Sequence, residues 1–183
     1  MQFIKESVIP GTVEEVFAFH ERPDAFALLS PPWERIEILQ PPSSLEVGTR
    51  VEVRSKVGPF WTTIVAEHVA YEPNVRFEDV MVRSPFASWH HQHLFFEHEG
   101  GCLLRDQIEY TLPLDPLSRL ADPILVRPRL RRMFDYRHEV TRREVLAHVS
   151  AGRTGGALGG RPARHEARES GPRGLGLERR SPE

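Results

Sequence analysis

After Trp33 the period changes from helical to two, with clear alternation over residues 35–40 and 49–57, and short turn sequences divide the chain from there to residue 112. A period of two sends successive side chains to opposite faces of a sheet. The predicted strands are Arg35–Gln40, Thr49–Val57, Phe60–Tyr71, Val75–Arg83, Ala87–His98 and Cys102–Leu112. In the first, Ile36 and Ile38 share a face; in the second, Val51, Val53 and Ser55 oppose Arg50, Glu52 and Arg54. The breaks are Gly58-Pro59, Glu72-Pro73-Asn74, Ser84-Pro85-Phe86 and Glu99-Gly100-Gly101, too short for anything but antiparallel connections. A further strand, Gln2–Ile9, opens the chain and turns at Pro10-Gly11.

Two stretches carry the helical period instead. After the first strand, Thr12 is placed to cap a helix whose first turn holds Glu14 and Glu15, where the helix dipole favours carboxylates. Val13, Val16, Phe17, Phe19 and His20 form its stripe, and Pro23 ends it. A second short helix is expected from an N-capping Asp24 to Leu29, stopped by Ser30-Pro31-Pro32. A last helical region spans Leu117 to His148, with Leu130, Met133, Phe134 and Val140 in one stripe and Pro123 and Pro128 breaking its first half. An antiparallel sheet of this length must curl and have one face covered, and only the last helix is long enough to cover it. The expected fold class is therefore α+β, a curved antiparallel sheet of about seven strands around a long C-terminal helix. The folded domain is expected over 1–148. Residues 149–183, rich in Gly, Arg and Pro and without an aromatic residue, are expected to be a disordered tail.

Composition narrows the function classes. Lys+Arg total 24 and Asp+Glu 26, a net charge of −2, so nothing favours nucleic acid or a membrane surface. No apolar run approaches the length of a membrane span, and no leader is expected, so a cytoplasmic location is the expectation. The single cysteine, Cys102, excludes an internal disulfide and a CxxC clamp, and reads as a small structural residue. Glu78 and Asp79 are adjacent in a strand and cannot act as a carboxylate pair. Gly100-Gly101 is a hairpin turn with no phosphate-loop context, and no cofactor is expected.

Several stretches, in this order, carry a resemblance: Glu14-Glu-Val-Phe-Ala-Phe-His20 to Arg22-Pro-Asp24, Leu29-Ser-Pro-Pro32, Glu46-Val-Gly-Thr49, Pro85 to His93, Leu104-Arg-Asp106, Tyr110 to Pro113, Leu117 to Ala121 and Leu130 to Arg137. Over about residues 1–148 the chain resembles the START-like, SRPBCC ligand-binding superfamily, and more narrowly its bacterial polyketide cyclase/dehydrase-like members. The resemblance implies a helix-grip fold with a cavity between sheet and C-terminal helix. Related cyclases position a reactive chain inside such a cavity. Pro123 and Pro128 depart from the pattern, where relatives continue the helix.

The candidate chemistry lies in Ser88–Glu97 (SWHHQHLFFE), with three of the nine histidines inside four residues. Trp89, His91, His93 and Phe95 share one face of the strand; His90, Gln92, Leu94 and Phe96 share the other. A metal site would need a third ligand beside His91 and His93, with Asp106, Glu109 or His68 available, but the spacing demands none of them, and no metal is expected. Acid–base catalysis would use His91 or His93, with Arg105 or Asp106 setting its protonation. The favoured reading is a pocket wall for a small hydrophobic molecule, formed by Trp89, His91, His93 and Phe95 with Trp61, Phe77, Ile108, Tyr110 and Phe134. Whether any reaction follows binding stays open. A third reading is a chaperone-like or regulatory module using the basic face of the last helix (Arg127, Arg129, Arg131, Arg132, Arg137, Arg142 and Arg143), whose protein partner is unknown.

Overall fold

The computed structural model describes residues 1–57, 59–114, 120 and 122–155. The elements run β1 (Gln2–Ile9), α1 (Val13–Glu21), α2 (Ala25–Leu28), β2 (Ile36–Gln40), β3 (Arg50–Val57), β4 (Phe60–Glu72), β5 (Arg76–Arg83), β6 (Ser88–His98), β7 (Gly101–Thr111), a π-helical turn (Asp122–Val126) and α3 (Arg127–Gly155). All seven strands join one antiparallel sheet in the order β1-β7-β6-β5-β4-β3-β2, so the first and last strands of the chain are neighbours at one end. This is the helix-grip arrangement, a curved seven-stranded sheet held against a long C-terminal helix.

Local chemistry explains the boundaries. Thr12 caps α1 in a reciprocal box: its hydroxyl accepts from the Glu15 amide at 3.3 Å, and its own amide donates to the Glu15 carboxylate at 2.8 Å. Asp24 does not cap α2; its carboxylate is drawn to the Arg22 guanidinium at 2.6 and 2.9 Å. Gly101 has φ 131°, and a Cβ there would stand 2.2 Å from the Ile9 carbonyl, so only glycine lets β7 start against the end of β1.

The last helix departs from expectation at both ends. Proline lacks an amide donor, and the segment around Pro123 forms a π turn, leaving α3 to begin at Arg127 with Pro128 in its first turn. Helix then continues through residue 155, past the expected domain end at 148. Gly58 of the predicted hairpin, Leu117–Arg119 and Ala121 of the predicted helix start, and the tail from 156 onward lie outside the described residues.

α3 packs on β1 and α1, and Lys5 and Asp135 form an ion pair between strand and helix. Buried apolar side chains form two clusters. Ile9, Val16, Phe17, Phe77, Phe95, Leu104, Val140 and Val145 belong to one, and Phe3, Trp89, Ile108, Tyr110, Leu130 and Phe134 to the other.

Candidate functional site

Between those two clusters lies a layer of titratable side chains. Along β6 the inner face reads Trp89, His91, His93, Phe95, and the register of the sheet aligns its neighbours to match. His93 pairs with Asp106 on β7, and His91 pairs with Asp79 on β5. Each strand therefore passes from apolar to ionisable and back at one level: Phe77–Asp79–Met81 on β5, Leu104–Asp106–Ile108 on β7. On α3 the spacing of four brings His138 to the same level after Leu130 and Phe134.

Asp106 is the hub. His91 Nε2 lies 2.9 Å from its Oδ1 and His138 Nε2 lies 2.6 Å from its Oδ2. His93 Nδ1 stands 2.7 Å from Oδ1, but off the line a hydrogen bond requires, so that contact is electrostatic. Asp79 Oδ2 faces the far sides of the same two rings, 3.3 Å from His91 Nδ1 and 3.7 Å from His93 Nε2. The two imidazoles are 3.9 Å apart between centroids, and His93 stacks on Phe77 at 4.0 Å. Asp106, His91, His138 and His93 are 3, 3, 3 and 8% exposed, so the layer is dry.

Electrostatics follow from burial opposed by pairing. Burial pushes the His91 pKa down, but Asp79 and Asp106 outweigh it and raise it to about 9. Burial pushes both carboxyls up, and the imidazoles reverse this, holding Asp79 and Asp106 well below the usual carboxylate range. His20 on α1 faces the layer from the other side, its ring 6.1 Å from that of His93 and its Nδ1 2.8 Å from the Val16 carbonyl. Burial, reinforced by His93, lowers its pKa to about 4. Burial likewise lowers His68 on β4. Four ring nitrogens at or beside the layer, His68 Nδ1, His93 Nδ1, His138 Nδ1 and Trp89 Nε1, are buried without a hydrogen-bond partner among the described residues.

A second buried carboxylate, Asp122 in the π turn, accepts from the Tyr110 hydroxyl and from Arg127 Nε at 2.8 Å. It ties the start of α3 to the end of β7.

Of the predicted site residues, Phe77, Trp89, His91, His93, Phe95, Ile108, Tyr110 and Phe134 come together on the inner side of the sheet, all buried. Trp61 does not join them. It pairs with Lys56 and lies 5.2 Å beneath the Arg54 guanidinium on the outer face, 41% exposed, because β3 turns Val51, Val53 and Ser55 inward and their neighbours outward. His91 and His93 pack closely, ring against ring at 3.9 Å, with Phe77 stacked on His93; cavities of about 620 and 630 Å³ lie beside Trp33 and the first turns of α3. Arg137 also leaves the wet face of α3 assigned to it. Its Nε lies 3.3 Å from the Leu29 carbonyl, and burial lowers its pKa. Cys102 is fully buried, which raises its thiol to about 11, as befits an inert core residue. Asp79, His20 and His138 were not singled out as site residues by the sequence.

Among the described residues no helix is long and apolar enough to cross a membrane. No curated protein matches the sequence. Solved structures do. Protein TTHA0849 of Thermus thermophilus is 16% identical over 81% of this chain and 99% of its own, with a TM-score of 0.62. The AHSA1-like protein of Aeromonas hydrophila is 15% identical over 93% of this chain and all of its own, at a TM-score of 0.53. A nucleoside-diphosphate sugar epimerase of Corynebacterium glutamicum is 25% identical over 83% of this chain, which spans only 30% of that protein, at a TM-score of 0.58. A family model described as "polyketide cyclase / dehydrase and lipid transport" matches residues 9–134, most of the folded part. With its helix-grip sheet and that match, the chain belongs to the polyketide cyclase/dehydrase and lipid transport family of SRPBCC proteins.

Proposed function

We propose that the protein binds a small, largely apolar molecule on the inner side of the sheet, with the polar end of that molecule directed to the Asp79–His91–His93–Asp106–His138 layer. The observation that carries this reading is the layer itself. Burying a carboxylate costs several kcal/mol even after relaxation, and replacing a buried ion pair with apolar side chains is often neutral or stabilising by about 1–4 kcal/mol. A core that already has apolar clusters on both sides gains nothing in stability from two buried aspartates. The unpartnered nitrogens of His68, His138 and Trp89 supply donors or acceptors for a ligand oxygen. Val51 and Val53, with the half-buried Thr62, Ile64, Ala66 and Met81 on the same face, supply the apolar wall. That α3 rests chiefly against β1 and α1, away from β3 and β4, supports a ligand approaching over this part of the sheet.

A second reading rests on the placement of His91 between two carboxylates, Asp79 at 3.3 Å and Asp106 at 2.9 Å, which raise its pKa. At neutral pH its ring carries a proton, so it suits a general acid that protonates a carbonyl or hydroxyl oxygen in a cyclisation or dehydration. Native mass spectrometry of the full chain purified from its own source tests the binding reading, with displacement of the apolar fluorophore 1-anilinonaphthalene-8-sulfonate as the solution assay. The expected result is a one-to-one adduct of an apolar compound that displaces the fluorophore. A chain that carries nothing and leaves the fluorophore dark contradicts it. Chemical change of the released compound on return to fresh protein, lost in His91→Gln, would favour the catalytic reading.

A further inference from the structure

Asp79 Oδ2, His91 Nδ1 and His93 Nε2 converge so that all three ligand atoms lie within 4.8 Å of one another. The separations of 3.3 and 3.7 Å from Asp79 Oδ2 to the two nitrogens approach the edge of a tetrahedron around a zinc-sized ion, about 3.3 Å for bonds of about 2.0–2.1 Å. We infer that these three atoms hold a divalent transition-metal ion, of the zinc type, with a fourth position left for an oxygen ligand.

Two further features suit an ion. The nitrogens of His91 and His93 that face away from Asp79 both abut Asp106 Oδ1, at 2.9 and 2.7 Å. A carboxylate hydrogen-bonded behind a ligating imidazole fixes its tautomer and raises its basicity; Asp106 does this for His91, stands against His93 as a charge, and is held at its other oxygen by His138 at 2.6 Å. Charge complementarity points the same way: a divalent ion would sit between the two carboxylates, Asp79 and Asp106, that flank His91 and His93. Asp79 keeps 15% side-chain exposure against 4% for His91 and 10% for His93, which marks the side by which an ion enters.

The ion site stands on these residues alone. That its fourth position receives the oxygen of a small apolar guest rests on the binding reading above. A direct test titrates Co²⁺ into the chelator-stripped full chain and follows the visible absorption bands. The expected result is saturation at one ion per chain with tetrahedral intensity, and cobalt K-edge absorption showing two imidazoles. The bands should vanish in His91→Ala and Asp79→Asn, persist in His90→Ala on the outer face, and weaken about 10–100-fold in affinity in Asp106→Asn. The K-edge measurement uses the wild-type chain, so it decides the matter even if a variant fails to fold. Absence of stoichiometric binding, a spectrum without imidazole, or undiminished binding in a folded His91→Ala protein would overturn the inference. Fluorophore displacement by the ion-free wild-type chain separates this failure from a failure of the binding reading.

Discussion

Asp106 and Asp122 are both buried carboxylates beneath α3, 3 and 4% exposed, yet they are held in opposite ways. Asp122 is clamped by donors that keep their protons at any physiological pH. Its hydrogen bond raises the Arg127 pKa, while burial and Asp122 together raise that of Tyr110. Asp106 takes its hydrogen bonds and closest ionic contacts, among the described residues, from the imidazoles of His91, His138 and His93. The first arrangement is a fastener for the π turn. The second gathers three imidazoles around one carboxylate in the middle of the core. Burial and acid type are the same in both, so the partners decide what a buried aspartate does.

The comparison can be broken most severely at the hub. Asp106→Asn removes the charge that three buried imidazoles face and puts an NH2 donor where one acceptor oxygen stood, and removing one partner of a buried ion pair costs about 3–5 kcal/mol. Urea unfolding at pH 7 reads that loss. A somewhat smaller effect separates the two sites by pH. The His20 pKa falls from 6.5 unfolded to about 4 folded, chiefly through burial, with His93, Asp106 and His138 as its titratable neighbours. The unfolded chain therefore binds the extra proton first, so stability is intact above pH 6.5 and falls as pH drops towards 4, by at most about 3 kcal/mol. His20→Leu should flatten that part of the stability profile. At the clamp, Asp122→Asn should cost about 1.5–3 kcal/mol, the range for a hydrogen bond to a charged group, and by the same amount at pH 6 and pH 8. The smallest change is expected on the outer face. Trp61→Ser should alter stability by no more than about 0.5 kcal/mol and leave fluorophore binding unchanged.

The sheet was legible because alternation is clear in β3, β6 and β7 and turn residues bracket the other strands, and the observed strand ends fall within one residue of the expected ones. The inward face of β6 was legible for the same reason: Trp89, His91, His93 and Phe95 are buried as their period requires. Asp106 could be named as a neighbour because β6 and β7 meet at a tight hairpin, which fixes their register. Asp79 was hidden because the loop from Ser84 to Ala87 does not fix how β5 slides along β6, and the irregular pairing of β4 with β5 obscures it further. His138 continues the stripe of Leu130 and Phe134 at intervals of four, a signal present in the sequence but readable only once a polar residue is allowed on a core face. Trp61 failed because an aromatic residue in a strand favours burial on average, whereas the parity of β3 had already placed its partner Lys56 outside.

A guest at the inner face is the central claim, and the indole nitrogens report on it directly. Trp89 Nε1 is buried and unpartnered beside the polar layer, while Trp61 sits on the opposite face of the sheet. In ¹⁵N–¹H spectra of the chain as isolated and after its apolar guest is stripped on a hydrophobic resin, the Trp89 indole resonance should move and that of Trp61 should stay. Identical spectra, or a shift confined to Trp61, would contradict the account.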